Sequence, residues 1–149
     1  MRPGQLDAFT GRHQQGRSGK TGAGQQVLYD TSKRFTFILT EQAVRFPLVG
    51  PHAMAVQIDR LASLTHLPNV RLGVIPVGTR TPGLPLNTFT IYDDRMATAE
   101  LTTGSIVFRD ARDIRAYLDE FDGYEEQALF DEAAREKLRE WSSSCRDDL

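Results

Sequence analysis

Residues 35–45 read F-T-F-I-L-T-E-Q-A-V-R, residues 49–64 read V-G-P-H-A-M-A-V-Q-I-D-R-L-A-S-L, and residues 67–76 read L-P-N-V-R-L-G-V-I-P. Each piece has its own period. Arg34 to Thr40 is rich in β-branched and aromatic side chains, which suit a pleated strand. Glu41 to Phe46 predicts a short helical turn, ended by Pro47 because proline disfavours helix at the residue before it. Pro51 stands near the first position of the next helix, where its missing N–H costs nothing. Met54, Ile58, Leu61 and Leu64 then share one helical face, and Pro68-Asn69 breaks the pattern. Val70, Leu72 and Val74 alternate with Arg71 and Gly73, a second strand. The whole stretch is a compact α/β unit.

Beyond it, Val77 to Asn87 is rich in glycine and proline and predicts a loop. Three short strands follow, Thr88 to Tyr92, Met96 to Thr102 and Ser105 to Arg109. Turns at Asp93-Asp94-Arg95 and Thr103-Gly104 separate them. Such local connections predict antiparallel pairing. Asp110 is placed to cap a helix whose apolar stripe is Ile114, Tyr117, Leu118, Phe121, Tyr124 and Leu129. Asp131 is placed to cap a last helix, buried through Ala134, Leu138 and Trp141. The expected architecture is α+β: an antiparallel or mixed sheet of about five strands, helices packed mainly on one face, and two helices at the C-terminal end. Residues 27–142 form the single domain. Residues 1–26 read as a flexible glycine-rich arm, too poor in apolar side chains to offset the entropy of ordering. Residues 143–149 read as a polar tail.

The chain has 149 residues, 40% hydrophobic and 26% charged, with a net charge of −2. That is ordinary globular composition for one domain. It supplies no basic face of the kind nucleic-acid binding needs. No apolar run approaches the roughly 20 residues of a membrane span, and the polar N-terminus lacks a signal-peptide core. With one cysteine, Cys145, no internal disulfide forms, and the expected compartment is the cytoplasm.

Motifs for chemistry are sparse. Gly19-Lys20-Thr21 ends like a phosphate-binding loop, but Gln14 stands where the first glycine belongs and no apolar strand precedes it. The plainer reading is a basic arm carrying Arg12, Arg17 and Lys20. His13, His52 and His66 lack zinc-site spacing, so neither a metal nor another cofactor is expected. Cys145 has acidic neighbours, which do not activate a thiol. No serine sits in a nucleophile elbow. Two carboxylates stand out. Glu41 ends the first strand, and Glu100 interrupts A-T-A-E-L-T, where an inward carboxylate requires a partner or a function. Pointing outward, or paired with Arg45 or Arg71, Glu100 is structural. The loop G-T-R-T-P-G-L-P-L-N (78–87) follows a core strand, a place where binding residues gather, although a plain connection is the commoner outcome.

The order of these landmarks resembles the uncharacterised C-terminal domain of actinobacterial Xre-type regulators, including the WhiJ-like and Scr-type antitoxin-like proteins. The matching stretches are 35–45, 49–61, 68–76, P-G-L-P-L-N-T-F-T-I-Y-D (82–93), A-E-L-T-T-G (99–104) and the final helix pair. The resemblance implies an effector domain that works beside a DNA-binding domain and binds a small molecule or a small toxin-like or BldB-like protein. It brings no catalytic residues. The family's helix-turn-helix has no counterpart in residues 1–26, and G-Q-Q-V-L (24–28) replaces its usual R-Q-x-x-L-like helix. Direct, specific DNA binding and membrane association are therefore not expected.

Three functions are carried forward. The first is a regulatory, non-enzymatic domain with a helix–sheet crevice near Glu41, Arg45, Gln57, Pro76 and Glu100. The second is a small biosynthetic enzyme, cyclase- or isomerase-like, using Glu100 or Glu41 as acid or base in the same crevice. The third is an interaction module or homodimer using a strand edge or the last helices.

Overall fold

The computed structural model describes residues 10–14 and 24–147. Its strands are β1 (Thr10–Gln14), β2 (Arg34–Thr40), β3 (Val70–Ile75), β4 (Phe89–Tyr92), β5 (Met96–Leu101) and β6 (Gly104–Phe108). Its helices are α1 (Gly24–Val27), α2 (Glu41–Arg45), α3 (Pro51–Leu64), α4 (Ala111–Glu125) and α5 (Asp131–Asp147). The fold is α+β, ending in two helices.

The strands expected from the sequence all form, but they do not make one sheet among themselves. β2 and β3 are a parallel pair, with Phe35 opposite Val70 and Leu39 opposite Val74. β4, β5 and β6 are a separate antiparallel meander. The backbone between them is β1, antiparallel to β2 and parallel to β4, which completes the order β3-β2-β1-β4-β5-β6. β1 lies in the segment read as a flexible arm. T-G-R-H-Q carries no strand period; its place follows from the unpaired edges of β2 and β4, whose N–H and C=O groups require partners. The rest of residues 1–23, including Gly19-Lys20-Thr21, lies outside the described residues.

Local chemistry sets the element ends. Thr40 caps α2, its hydroxyl accepting from the Ala43 N–H at 3.3 Å. Gly50 precedes α3, with Pro51 in its first turn. Asp110 caps α4 by accepting from the Arg112 N–H at 2.8 Å. The β4–β5 turn holds Asp93 at φ 55°, and the β5–β6 turn holds Gly104 at φ 155°. An aspartate and a glycine are residues that accept such angles.

Helices cover both faces of the β2–β3 pair, not mainly one. Successive strand residues point to opposite sides, and the neighbours Ile38 and Leu39 enter different clusters. Leu39, Leu72 and Val74 pack with Ile58 and Leu61 of α3 and with Ala134, Leu138 and Trp141 of α5. Ile38 and Ile75 pack with Phe89, Ile91 and the α4 residues Ile114, Leu118 and Phe121. Gly73 stands opposite Ile38 in the register, and a methyl group there would come within 2.6 Å of the Phe130 ring, which is why the position suits glycine. The free edge of β3 is closed by the α4–α5 connection, where Val74 and Leu129 exchange backbone hydrogen bonds of 2.9 and 2.8 Å.

α5 continues through the residues read as a polar tail. Ser142 is buried and donates to the Asp59 Oδ1 at 2.6 Å, while the Arg146 guanidinium donates to the Ser142 Oγ at 2.6 Å and pairs with Asp59. Cys145 packs against the cluster between α3 and α5. These contacts hold the Asp59 carboxyl below its usual range, the Ser142 hydrogen bond contributing most and Arg146 next.

Candidate functional site

The residues singled out from the sequence fall into two places. Glu41, Arg45 and Pro76 share one corner. The Glu41 Oε1 accepts from the Arg45 Nη1 at 2.8 Å, and its Oε2 accepts from the N–H of Val77, just after Pro76, at 2.9 Å. Burial pushes the Glu41 carboxyl up, but the Val77 N–H and the Arg45 guanidinium outweigh it and leave it below its usual range. This contact fastens the start of α2 to the end of β3. Gln57 is exposed on α3. Glu100 is exposed on β5 and accepts from the Ser105 hydroxyl across the turn at 3.1 Å. The strand order puts β5 three positions from β2, about 14 Å across the sheet. Neither of the two cavities found among the described residues is lined by Glu41, Gln57 or Glu100. The two arginines considered as partners of Glu100 are engaged elsewhere: Arg45 with Glu41, and Arg71 with Glu125 and the Phe130 ring, 3.7 Å from its centroid.

A helix–sheet crevice exists at another position. It has a volume of about 500 Å³ and lies between α4 and the loop 82–87, over β4 and β6. Phe89 and Phe108 form its floor; Pro82, Gly83, Leu84, Leu86 and Asn87 form one wall. Asp113, Ala116, Tyr117, Glu120 and Tyr124 form the other, with Asp119 at its margin. Spacings of three and four residues put Asp113, Tyr117, Glu120 and Tyr124 in one row along α4.

The aromatic part is a packed set. The Tyr117 ring lies 4.9 Å from Phe89 and 5.2 Å from Phe108, both tilted by about half a right angle. Such tilted contacts bring a ring edge toward a ring face. Leu84 and Leu86 are each 81% exposed, so the outer wall presents apolar side chains that the fold itself leaves uncovered. The loop sits close because Gly123 has no side chain: a methyl group there would come within 2.8 Å of the Pro82 Cγ. A glycine inside a helix costs about 1 kcal/mol relative to alanine, and here it allows this close approach.

The charge in the crevice is one-sided. Asp113, Asp119 and Glu120 line it, and no lysine or arginine does. Asp119 is paired with Arg115 at 2.6 Å. Glu120 accepts from the Tyr124 hydroxyl at 3.1 Å. Burial pushes the Tyr124 phenol up to about 12, aided by Glu120. Burial also raises the Tyr117 phenol, and the charges of Glu120 and Asp113 add to it. Both carboxylates therefore reach the same ring, and both phenols stay neutral at ordinary pH.

A second cavity, of about 490 Å³, opens at the beginnings of β2 and β3. Part of its polar lining is used within the fold, while the Asn69 Oδ1 is buried without a hydrogen-bond partner among the described residues. The Asn69 Nδ2 donates to the carbonyls of Leu28, Asp30 and Lys33 at 2.9, 3.2 and 3.0 Å, and Arg71 pairs with Glu125.

Reading the sequence drew attention to the 78–87 loop but not to the row that faces it. The signal was present as D-x-x-x-Y-x-x-E-x-x-x-Y (113–124). Tyr117 and Tyr124 belong to the apolar stripe read from the sequence, and Asp113 and Glu120 carry no motif that singles them out. Among the described residues, no group of three or more histidine, cysteine, aspartate or glutamate side chains is arranged to hold a metal ion, and no helix is long and apolar enough to cross a membrane. Neither the curated proteins nor the solved structures contain a match to the chain. A family model does match, over residues 18–140 and thus across β2 to β6, α1 to α4 and α5 as far as Glu140. The chain belongs to the family described as Domain of unknown function (DUF5753).

Proposed function

We propose that the chain is an effector-type binding domain, not an enzyme, and that it takes up a small molecule between α4 and the 82–87 loop. One observation carries this reading: a crevice of about 500 Å³ with an aromatic floor and two exposed leucines on its rim. Small-molecule sites are concave, largely apolar and provided with a few convergent polar groups. The lining holds no serine, threonine, cysteine, lysine or histidine, and in its one hydroxyl–carboxylate pair, Tyr124 with Glu120, burial raises the phenol to about 12, which works against its activation as a nucleophile. A cyclase- or isomerase-like role for Glu41 or Glu100 has less support, since one is ion-paired at a helix start and the other is exposed. The resemblance of the landmark order to that of Xre-type regulators favours a regulatory setting, in which occupancy of the crevice is passed to a DNA-binding or small partner protein. Amide chemical-shift mapping with a library of small apolar fragments tests the site. The expected shifts gather at Leu84, Ala116, Tyr117 and Glu120; shifts confined to Glu41, Gln57 and Glu100, or none, would refute it.

A second reading has an observation of its own. β6 is an edge strand, and Leu101, Ile106 and Val107 around it are about half exposed. G-S-I-V-F carries no charge, proline or bulge, the usual protections of an edge. Antiparallel pairing of β6 with β6 of a second copy would cover it. Light scattering over a concentration series decides this: a dimer that Ile106→Lys dissociates supports the reading, and a monomer throughout removes it.

A further inference from the structure

We infer that the crevice selects an organic cation with an apolar body, an inference that rests on reading the crevice as a small-molecule site. The argument joins charge to ring geometry. Carboxylates are the crevice's only ionised lining groups, and neither Asp113 nor Glu120 has a cationic partner among the described residues. They flank Tyr117 along α4, each about one turn, or roughly 5 Å of helix rise, away from it. Tyr117 is therefore the point where both fields overlap.

An aromatic face attracts a cation through its quadrupole, and the attraction grows where water is excluded. The partly exposed Tyr117 and Phe108 supply such faces at the base of a concave site, backed by the buried Phe89, while Leu84 and Leu86 supply apolar cover at the rim. A charged nitrogen placed over Tyr117 would meet the two carboxylates' field, and the apolar remainder would lie against the leucines. An anion would meet only repulsion there, because no cationic side chain lines the crevice. A neutral molecule would gain the apolar contacts alone.

Three probes of similar size isolate the charge: 2-phenylethylammonium, 3-phenylpropanol and 3-phenylpropanoate, each titrated into the full chain at neutral pH and followed by amide shifts at Leu84, Ala116 and Tyr117. The ammonium is expected to bind about tenfold more tightly than the alcohol, the scale of one partly desolvated cation–π contact, and the carboxylate least. In Asp113→Asn/Glu120→Gln, which removes charge but not shape, ammonium and alcohol should bind nearly alike. Two results would overturn the inference while leaving the crevice as a binding site: an alcohol that binds as tightly as the ammonium, or a preference for the ammonium that survives both substitutions. Absence of shifts at the crevice with all three probes would overturn both the inference and the reading beneath it.

Discussion

The two halves of the molecule differ in where they leave apolar side chains exposed. In the β2–α3–β3 half, the strands and the inner face of α3 are covered, and Phe46, Leu48 and Val56 stay exposed only on the α2–α3 connection and the outer face of α3, away from either cavity. β3 is buried on both faces, its edge is closed by Leu129, and α3 and α5 are joined by the Asp59–Ser142–Arg146 contacts. In the half built from residues 82–124, Leu84, Leu86, Ile106 and Val107 stay exposed beside a crevice with unmatched negative charge. The first half uses its chemistry to hold the fold. The second leaves groups unsatisfied by the fold, and such groups are the ones available to a ligand.

Substitutions can break or sharpen this contrast. Trp141, 2% exposed between α3 and α5, should be the most sensitive: Trp141→Ala is expected to cost about 3–5 kcal/mol in urea unfolding. A loss under 1 kcal/mol would mean that this half is not the closely packed one. Gly73→Ala comes next, because its methyl group meets the Phe130 ring; an overpacking cost of about 1–3 kcal/mol is expected.

Acid acts on the same half through Asp59. Its carboxyl is lowered in the folded chain, so the stabilisation is fully present above the ordinary aspartate value, about 3.9, and is lost as pH falls through the lowered one. The stability advantage of the wild type over Asp59→Asn should therefore hold at neutral pH and shrink as pH falls below about 4. An advantage independent of pH in thermal melts would contradict the assignment.

In the other half the same kinds of change should scarcely touch stability. Leu84→Ser and Leu86→Ser are expected to stay within about 0.5 kcal/mol of the wild type while weakening fragment binding. Gly123→Ala is expected to change stability by less than about 1 kcal/mol, since the gain in helix propensity opposes the contact with Pro82. It should nevertheless shift the amides of residues 83–87, and an unchanged loop would show that this close approach does not set the loop's position.

The same contrast explains how much was legible in the sequence. Strand and helix periods are consequences of burial, so the covered half announced itself: β2 spans Arg34–Thr40 as expected, and α3 begins at Pro51. β1 was not legible because T-G-R-H-Q carries no period. The separation of the five strands into a pair and a meander was hidden with it. Leu39 and Ile38 look alike as letters, so the division of helices between two faces emerged only in space. Of the site, the loop was visible through its glycines and prolines. The Asp113-Tyr117-Glu120-Tyr124 row was hidden because two of its members also serve the core. Glu100 attracted notice as a carboxylate in a strand, but that strand end is open to solvent and Ser105 satisfies it.

The central claim, that the crevice on α4 is the binding site, is tested most directly by closing it. Ala116 lines the crevice and is exposed, so a larger side chain there fills the space without entering the core. The strongest fragment from the shift mapping, titrated into wild type and Ala116→Trp with matched melting temperatures, should bind the variant at least about tenfold more weakly, a loss of about 1.4 kcal/mol. Equal Kd values in the two proteins would contradict the account.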